Sequence, residues 1–302
     1  MNPKPKMLIT GASGFTGQHA CEHFSKLNYD ITAVTRNQTS NQGYLFQVEP
    51  CELTSKNSVF QLIEKVKPDY LLHLAGINHV NKSWKEPILT IETNFLSTLY
   101  LLDAVRQIKP SCKIITIGSS LQFNPDEIAN LEHPYSLSKT LQVMISQAWE
   151  KLFNMNIVIA QPSNIIGPGR SKGVTSIFAT KIVQMEKNKL DKVLVVNNLT
   201  TRRDFIDVRD VVKAFEVLFN KGVVGEIYKI SSGKTHSLGE VVQIYKTLTD
   251  VDFKIEPLTT DVDKQIIDEN PFKLFKLGWN PTLSIHCSLT DTLNYFRLQN
   301  LH

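Results

Sequence analysis

Short apolar runs alternate with longer stretches of helical period along the first half of the chain. Residues 7–10, 30–35, 70–74, 113–117 and 157–161 have strand length, are rich in Ile, Leu and Val, and are bounded by Gly, Asn, Pro or Ser. Between them, 15–27 puts Ala20, Phe24 and Leu27 on one face, and 88–108 does the same with Ile91, Phe95, Leu99, Leu102 and Val105. Strands of nearly continuous hydrophobicity separated by helices predict a parallel sheet covered on both faces, the doubly wound Rossmann α/β architecture.

Beyond Gly167-Pro168-Gly169 the pattern is mixed. Helices are predicted over 175–187 and 211–219, and strands over 193–197, 205–208 and 227–230. Ser237-Leu238-Gly239-Glu240 has the spacing of a capping box and predicts a helix through 248, and the tail over 283–298 is helical by period. The expected organisation is a dinucleotide-binding domain over 1–168, joined by 205–232, and a smaller mixed α/β domain from 169–204 and 233–302. No internal repeat or low-complexity tract interrupts it.

Composition narrows the class. Of 302 residues 42% are hydrophobic and 21% charged, which excludes a disordered or collagenous chain. A net charge of +4, spread evenly, gives no footprint for nucleic acid or an anionic membrane. No uninterrupted apolar stretch reaches the ~18 residues of a membrane span. Cys21, Cys51, Cys112 and Cys287 form no C-x-x-C pair and no metal-ligand spacing with His. Scattered thiols suit a reducing, cytoplasmic setting, and no metal is expected.

Gly11-Ala12-Ser13-Gly14-Phe15-Thr16-Gly17 follows the first strand and opens the first helix. In a G-x-x-G-x-x-G turn the first glycine allows the tight bend, the second lets backbone approach a pyrophosphate, and the third lets helix pack on strand. The second strand ends in Thr35-Arg36-Asn37, where an NAD binder would carry an acidic residue for the ribose. A guanidinium there suits a 2′-phosphate, so NADP(H) is favoured over NAD(H), which stays open. Glu52, after the third strand, is a candidate acceptor for the adenine amine or a plain loop carboxylate.

Tyr135 and Lys139 stand four apart at the head of a helical stretch, so both project from one face. Such pairs arise by chance, but this one follows a strand whose end carries Gly118-Ser119-Ser120, and ligands bind at strand C-termini in doubly wound sheets. A tyrosine of pKa ~10 shuttles protons poorly at neutral pH, and a neighbouring ammonium would lower that value. Ser120 is then the hydroxyl expected to bind the carbonyl or alcohol undergoing reaction.

These residues resemble the extended short-chain dehydrogenase/reductase family, in its sugar-nucleotide epimerase/dehydratase/reductase branch. The resemblance rests on Gly11–Gly17, Asp69-Tyr70-Leu71-Leu72-His73-Leu74-Ala75-Gly76, Asn94, Ser119-Ser120, Tyr135-x-x-x-Lys139, Asn164-Ile165-Ile166-Gly167-Pro168-Gly169, Arg203-Asp204-Phe205-Ile206-Asp207-Val208 and Leu277-Gly278-Trp279-x-Pro281. It implies catalysis by Ser120, Tyr135 and Lys139. It also implies a cofactor held by Gly11, Gly14, Phe15, Thr16, Gly17, Arg36, Asn37, Glu52, Leu53, Leu74, Ala75, Gly76, Pro162 and the Tyr–Lys pair. A nucleotide-sugar would meet His79, Ser119, Ser120, Asn164 and Arg203, the last on its diphosphate. Arg203 has a plainer reading as a partner of Asp204 or Asp207, and Asn164 as a turn residue. The resemblance further implies a homodimer through the helices at 88–108 and 136–152.

Three reactions share this scaffold. A 4,6-dehydratase carries an acidic pair just after its catalytic hydroxyl, where this chain has Leu121 and Gln122. A 4-epimerase keeps its NAD through the cycle, whereas a reductase exchanges cofactor every turnover and draws on NADPH, which Arg36 fits. The expected reaction is thus reduction of the C4 keto group of a nucleotide-linked 4-keto-6-deoxy sugar. An NAD-dependent 4-epimerase is the alternative, ahead of a dehydratase or a non-catalytic NADP-binding protein. Relatives commonly carry Arg-Pro before the last substrate loop, where this chain reads Leu258-Thr259-Thr260-Asp261-Val262-Asp263. The nucleotide base is left open.

Overall fold

A computed structural model of the chain describes residues 3–36, 46–260 and 270–299. In chain order its elements run β1 (Lys6–Thr10), α1 (Phe15–Ser25), β2 (Asp30–Thr35), β3 (Gln47–Pro50), α2 (Lys56–Val66), β4 (Tyr70–His73), α3 (Val80–Lys85), α4 (Pro87–Ile91), a π-helical turn (Glu92–Leu96), α5 (Ser97–Ile108) and β5 (Lys113–Ile117). They continue with a short 3-10 turn (Ile128–Asn130), α6 (Pro134–Phe153), β6 (Ile157–Pro162), β7 (Asn164–Ile166), α7 (Val174–Glu186), β8 (Val193–Asn198), β9 (Arg202–Asp207) and α8 (Val208–Lys221). The last are β10 (Ile227–Ile230), β11 (Thr235–Ser237), α9 (Leu238–Thr247), β12 (Lys254–Thr259), α10 (Phe272–Lys276) and α11 (Ile285–Leu298). The chain forms two compact units, Met1–Gln161 with Val212–Tyr228, and Pro162–Val211 with Lys229–His302. The first unit thus stops at Gln161, seven residues short of the boundary expected at 168.

A seven-stranded sheet in the order β3-β2-β1-β4-β5-β6-β10 bears out the doubly wound expectation. Each pairing from β3 to β6 is parallel, with Met7 of β1 opposite both Ile31 and Tyr70. Met7, Leu8 and Ile9 are fully buried, as a central strand covered on both faces requires. The strand order reverses between β1 and β4, and the crevice outside their carboxyl ends is where such sheets take ligands. On one face Val59, Leu62 and Ile63 of α2 and Leu101, Leu102 and Val105 of α5 pack with Leu8, Leu71 and Ile114. The 20-residue α6 starts at Pro134, whose ring presets a helical φ, and His133 Nδ1 caps it by accepting from Ser136 N at 2.9 Å.

The run at 88–108, expected to be one regular amphipathic helix, is interrupted by the π turn. Asn94 sits inside that turn and is fully buried. Ser97 and Thr98 hydroxyls bond back to the carbonyls of Thr93 and Asn94, an alternative to regular backbone pairing. Pro87–Ile108 is long and apolar enough to cross a membrane by length and composition, but half of it is buried, as in a core helix.

The second unit has its own core. Phe178, Ile182 and Val183 of α7, Leu194 and Val196 of β8, Phe205 of β9, Val241 and Tyr245 of α9, and Leu289 and Leu293 of α11 form it. β9 pairs antiparallel with β11 and parallel with β7, and β12 runs parallel to β8. At α9 the capping box is half made: Ser237 Oγ accepts from Glu240 N at 3.0 Å, but the Glu240 carboxylate turns to Arg202 and His236. Asp210 accepts from Thr282 N, Thr282 Oγ1 and Leu283 N, which pins the stretch before α11 to the start of α8.

Among the described glycines of the first unit, the tightest backbone approach is at the glycine turn. A Cβ on Gly17 would lie 2.1 Å from Gly11 O and 2.8 Å from Ala12 Cα, both backbone atoms that cannot swing away. Gly17→Ala is therefore expected to lower the unfolding free energy by about 1–3 kcal/mol or more, read as an earlier urea midpoint. An unchanged midpoint would mean that α1 slides freely off the turn.

Candidate active site

β1 delivers the chain into the turn that the sequence marked. Gly11 has φ +67°, and a Cβ there would strike Ala75 N at 2.7 Å and Leu74 C at 2.8 Å, so only glycine lets β1 pass the end of β4. Gly14 is exposed and occupies the N-cap of α1 with no side-chain cap, and the first turn of α1 holds no acidic residue. The first N–H groups of this eleven-residue helix therefore face outward at its positive end. A helix N-terminus of this kind suits an anion such as a dinucleotide diphosphate. Phe15 and Thr16 are half-buried at the helix start, and Leu74, Ala75 and Gly76 line the opposite strand end.

Arg36 is exposed at the end of β2, and Asn37 lies outside the described residues. Two cofactor candidates have local duties in this structure. Glu52 Oε1 accepts from Thr54 N at 3.2 Å and Thr54 Oγ1 at 2.8 Å, which favours its plainer reading as a turn carboxylate. Leu53, expected at the cofactor, packs against the core of the first unit because the turn before α2 directs it inward.

Tyr135 and Ser119 meet at the end of β5. Tyr135, in the first turn of α6, donates its hydroxyl to Ser119 Oγ at 3.2 Å. The partner is Ser119, not Ser120: the chain enters a turn after Ser119, which leaves Ser120 half-buried one place further on. Ser119 is held on several sides. Its N–H donates to Gln122 Oε1 at 3.0 Å, its carbonyl accepts from Gln161 Nε2 at 2.7 Å, and its Oγ accepts from Leu121 N at 3.1 Å. With two hydrogen bonds accepted, Ser119 Oγ keeps its own hydrogen for a further oxygen. If Ser119 is the reference hydroxyl, the two following places hold Ser120 and Leu121 in place of Leu121 and Gln122. Neither is an acid, so the argument against dehydration is unaffected.

Lys139 is one turn further along α6, and its Nζ donates to Ile117 O and Gln142 Oε1, both at 2.5 Å. Burial pulls its amine down to about 7. Burial also holds the Tyr135 phenol above the usual tyrosine range, with the Ser119 hydrogen bond pulling the other way. The expected acidification of Tyr135 by Lys139 is not what this pocket does: loss of water dominates both groups, and the amine is spent on two carbonyls. Asn94 braces the same region. Its Oδ1 accepts from Ile77 N at 2.7 Å, and its Nδ2 donates to Ile77 O and to Ser138 Oγ, beside Lys139. Sequence reasoning passed over Gln142, which lies three places after Lys139 and so on the same helix face.

The remaining substrate candidates divide between the two units. His79 is half-buried at the N-terminus of α3. Pro162, Asn164 and Arg203 belong to the second unit. Asn164 Nδ2 donates to Asp204 O at 3.0 Å, tying β7 to β9. Arg203 Nη1 donates to Arg202 O at 2.8 Å, while Asp204 is held by Ser163, Ser232 and Lys234 N, and Asp207 by Arg209 and Ser288.

With this geometry in place, likeness to known proteins gains meaning. The NAD dependent epimerase/dehydratase family matches residues 7–231. The chain is 25% identical over 304 residues to the GDP-6-deoxy-D-mannose reductase of Pseudomonas aeruginosa, covering 96% of each. It is 26% identical over 318 residues to a putative UDP-glucose 4-epimerase of Methanocaldococcus jannaschii, covering 97% of this chain and 99% of that one. The solved structure of RMD from Pseudomonas aeruginosa complexed with NADPH superimposes with a TM-score of 0.82 at 24% identity, covering 97% and 98% of the two chains.

The depressed amine has a sign that can be tested. Between about 7 and the unfolded lysine value the unfolded chain binds a proton that the folded chain does not, so this group makes stability rise with pH over that window. Tyr135 acts oppositely only above ~10. From pH 7 to 9.5, the unfolding free energy of wild type is expected to gain more than that of Lys139→Met in paired urea titrations. Equal slopes would place the Lys139 amine in water.

Proposed function

Because the chain belongs to the NAD dependent epimerase/dehydratase family, as an NAD(P)-dependent enzyme of the extended short-chain dehydrogenase/reductase type, we propose that it reduces the C4 keto group of a nucleotide-linked 4-keto-6-deoxy sugar with NADPH. The observation that carries this reading is the Tyr135–Ser119 hydrogen bond at the end of β5, with a phenol that burial keeps protonated. Reduction needs an acid at that position. Ser119, with its own hydrogen to give, holds and polarises the ketone oxygen. Tyr135 then protonates the alkoxide formed at C4, and Lys139, one helical turn away, supplies positive charge below its ionisation near 7. A reduced nicotinamide, when bound, supplies the hydride. Gly11, Gly14 and Gly17 would hold its diphosphate at the N-terminus of α1, and Arg36 would take a 2′-phosphate.

A 4-epimerase must first remove the proton of the C4 hydroxyl, which calls for a phenolate. The raised phenol opposes that step, and the absence of acids after Ser119 opposes dehydration. The name of the Pseudomonas reductase supports the same choice. Free thiols, three of them buried, suit the cytoplasm.

With a panel of nucleotide-linked 4-keto-6-deoxy sugars, the purified protein is expected to oxidise NADPH. Tyr135→Phe should cut turnover by ~10²–10⁴, and Ser119→Ala should cost far more than Ser120→Ala. Arg36→Ala should raise the KM for NADPH while leaving that for NADH in place. No NADPH oxidation with any ketosugar, together with C4 interconversion of a nucleotide hexose, would replace this reading by epimerisation.

By the same resemblance we propose a homodimer through the helices at 88–108 and 136–152, whose outer faces leave Ile88, Met144 and Leu152 at 47–70% exposure. Light scattering at micromolar protein is expected to give twice the chain mass. The mass of one chain would exclude the dimer.

A further inference from the structure

A line of buried polar groups runs behind Lys139. Thr10, His73, Asn94, Thr98 and Gln142 are each no more than 1% exposed, so every donor and acceptor among them must be matched within the protein. Thr98 sets the directions. Its single hydroxyl hydrogen goes to Asn94 O at 2.7 Å. Its oxygen can then only accept, and two nitrogens approach it: His73 Nε2 at 2.9 Å and Gln142 Nε2 at 3.0 Å.

Two consequences follow from counting hydrogens. His73 carries its proton on Nε2, so its Nδ1 accepts from Thr10 Oγ1 at 2.7 Å, and Thr10 in turn accepts from Ala75 N at 3.1 Å. Gln142 must present its NH2 to Thr98, and its carbonyl oxygen is thereby aimed at Lys139 Nζ. The flipped amide would set an NH2 against the amine and a carbonyl against a hydroxyl that has no hydrogen left. Two arms thus donate toward Thr98, Ala75–Thr10–His73 from one side and Lys139–Gln142 from the other, and Thr98 donates onward to Asn94 O.

We propose that Gln142 is a positioning residue that holds the protonated Lys139 amine, and that the one-way chain Thr10–His73–Thr98 fixes which end of its amide does so. This rests on the reading that Lys139 takes part in the chemistry. Around Lys139, β5 contributes the Ile117 carbonyl, and the π turn and α5 contribute Asn94 and Thr98, all uncharged. The titratable neighbours are His73 on β4, which burial pulls down to about 3, and Tyr135 on α6, which burial pushes up, so both are neutral at pH 7. Two carbonyls therefore carry the ammonium in the free protein, and Gln142 is one of them.

The test reads the amine directly. In protein with labelled lysine and no cofactor, the Lys139 side-chain resonance is assigned by its loss in Lys139→Arg and followed with pH by NMR. Gln142→Met is expected to lower the Lys139 ionisation midpoint by about one unit, tenfold, or more, since a charge-assisted hydrogen bond is lost. Gln142→Glu should raise it by a similar factor, and Thr98→Val, which frees the amide to turn, should lower it by less than Gln142→Met. A purely structural Gln142 would lower the melting temperature in these variants and leave the midpoint where it was. Midpoints within threefold of wild type in both Gln142 variants overturn the proposal. If Gln142→Met does not fold, the opposite shifts of Gln142→Glu and Thr98→Val decide it. Midpoints that move as described without turnover of any ketosugar support the positioning role and sink the reduction. Turnover with immobile midpoints does the reverse.

Discussion

Burying an amine is among the costlier acts a protein performs, because the charge loses water and must be met by fixed oxygens. The corner of this chain proposed for catalysis is organised around that requirement. Lys139 projects from α6 with its nitrogen on the Ile117 carbonyl and the Gln142 amide oxygen. The end of β5 must stop where it does to present that carbonyl, and the next residues must turn to bring Ser119 under Tyr135. The glycine turn and the Tyr135–Lys139 helix thus share one polar interior: Thr10, which precedes that turn, is the far end of the same line of hydrogen bonds.

Much of the fold was legible because its strongest signals are local. The five central strands are apolar on both faces, so runs such as Met7-Leu8-Ile9 stand out against the amphipathic helices between them. Elements that lack this contrast were given no bounds or missed, β3 being noted only as a third strand ahead of Glu52. β3 is at most half-buried, β7 and β11 have three residues each, and β12 is largely exposed with a proline inside it. Their strand character comes from pairing with β2, β9 and β8, which no window of sequence contains.

The site was legible in its residue types and less so in its register. Tyr135 and Lys139 are four apart on a helix, and that spacing alone places them on one face. Adjacent serines offer no such rule. Whether Ser119 or Ser120 meets the phenol depends on where β5 gives way to a turn, and the Ser119 N–H bond to Gln122 is what sets it. The sequence also suggested that a cation would acidify Tyr135, because spacing reports proximity and says nothing of solvent. Only burial shows that both groups are pushed toward neutrality.

The π turn at Glu92–Leu96 has a bearing on how relatives of this chain should be compared. A turn that takes in an extra residue advances the helical phase by ~100° relative to a regular helix. Side chains before Glu92 and after Leu96 therefore obey two separate wheels, and a relative whose helix is regular here differs by one residue in a stretch with no loop to absorb it. A sequence alignment that refuses gaps inside helices would pair the outward face of α4 with inward positions of its relatives, and would misplace Asn94 itself.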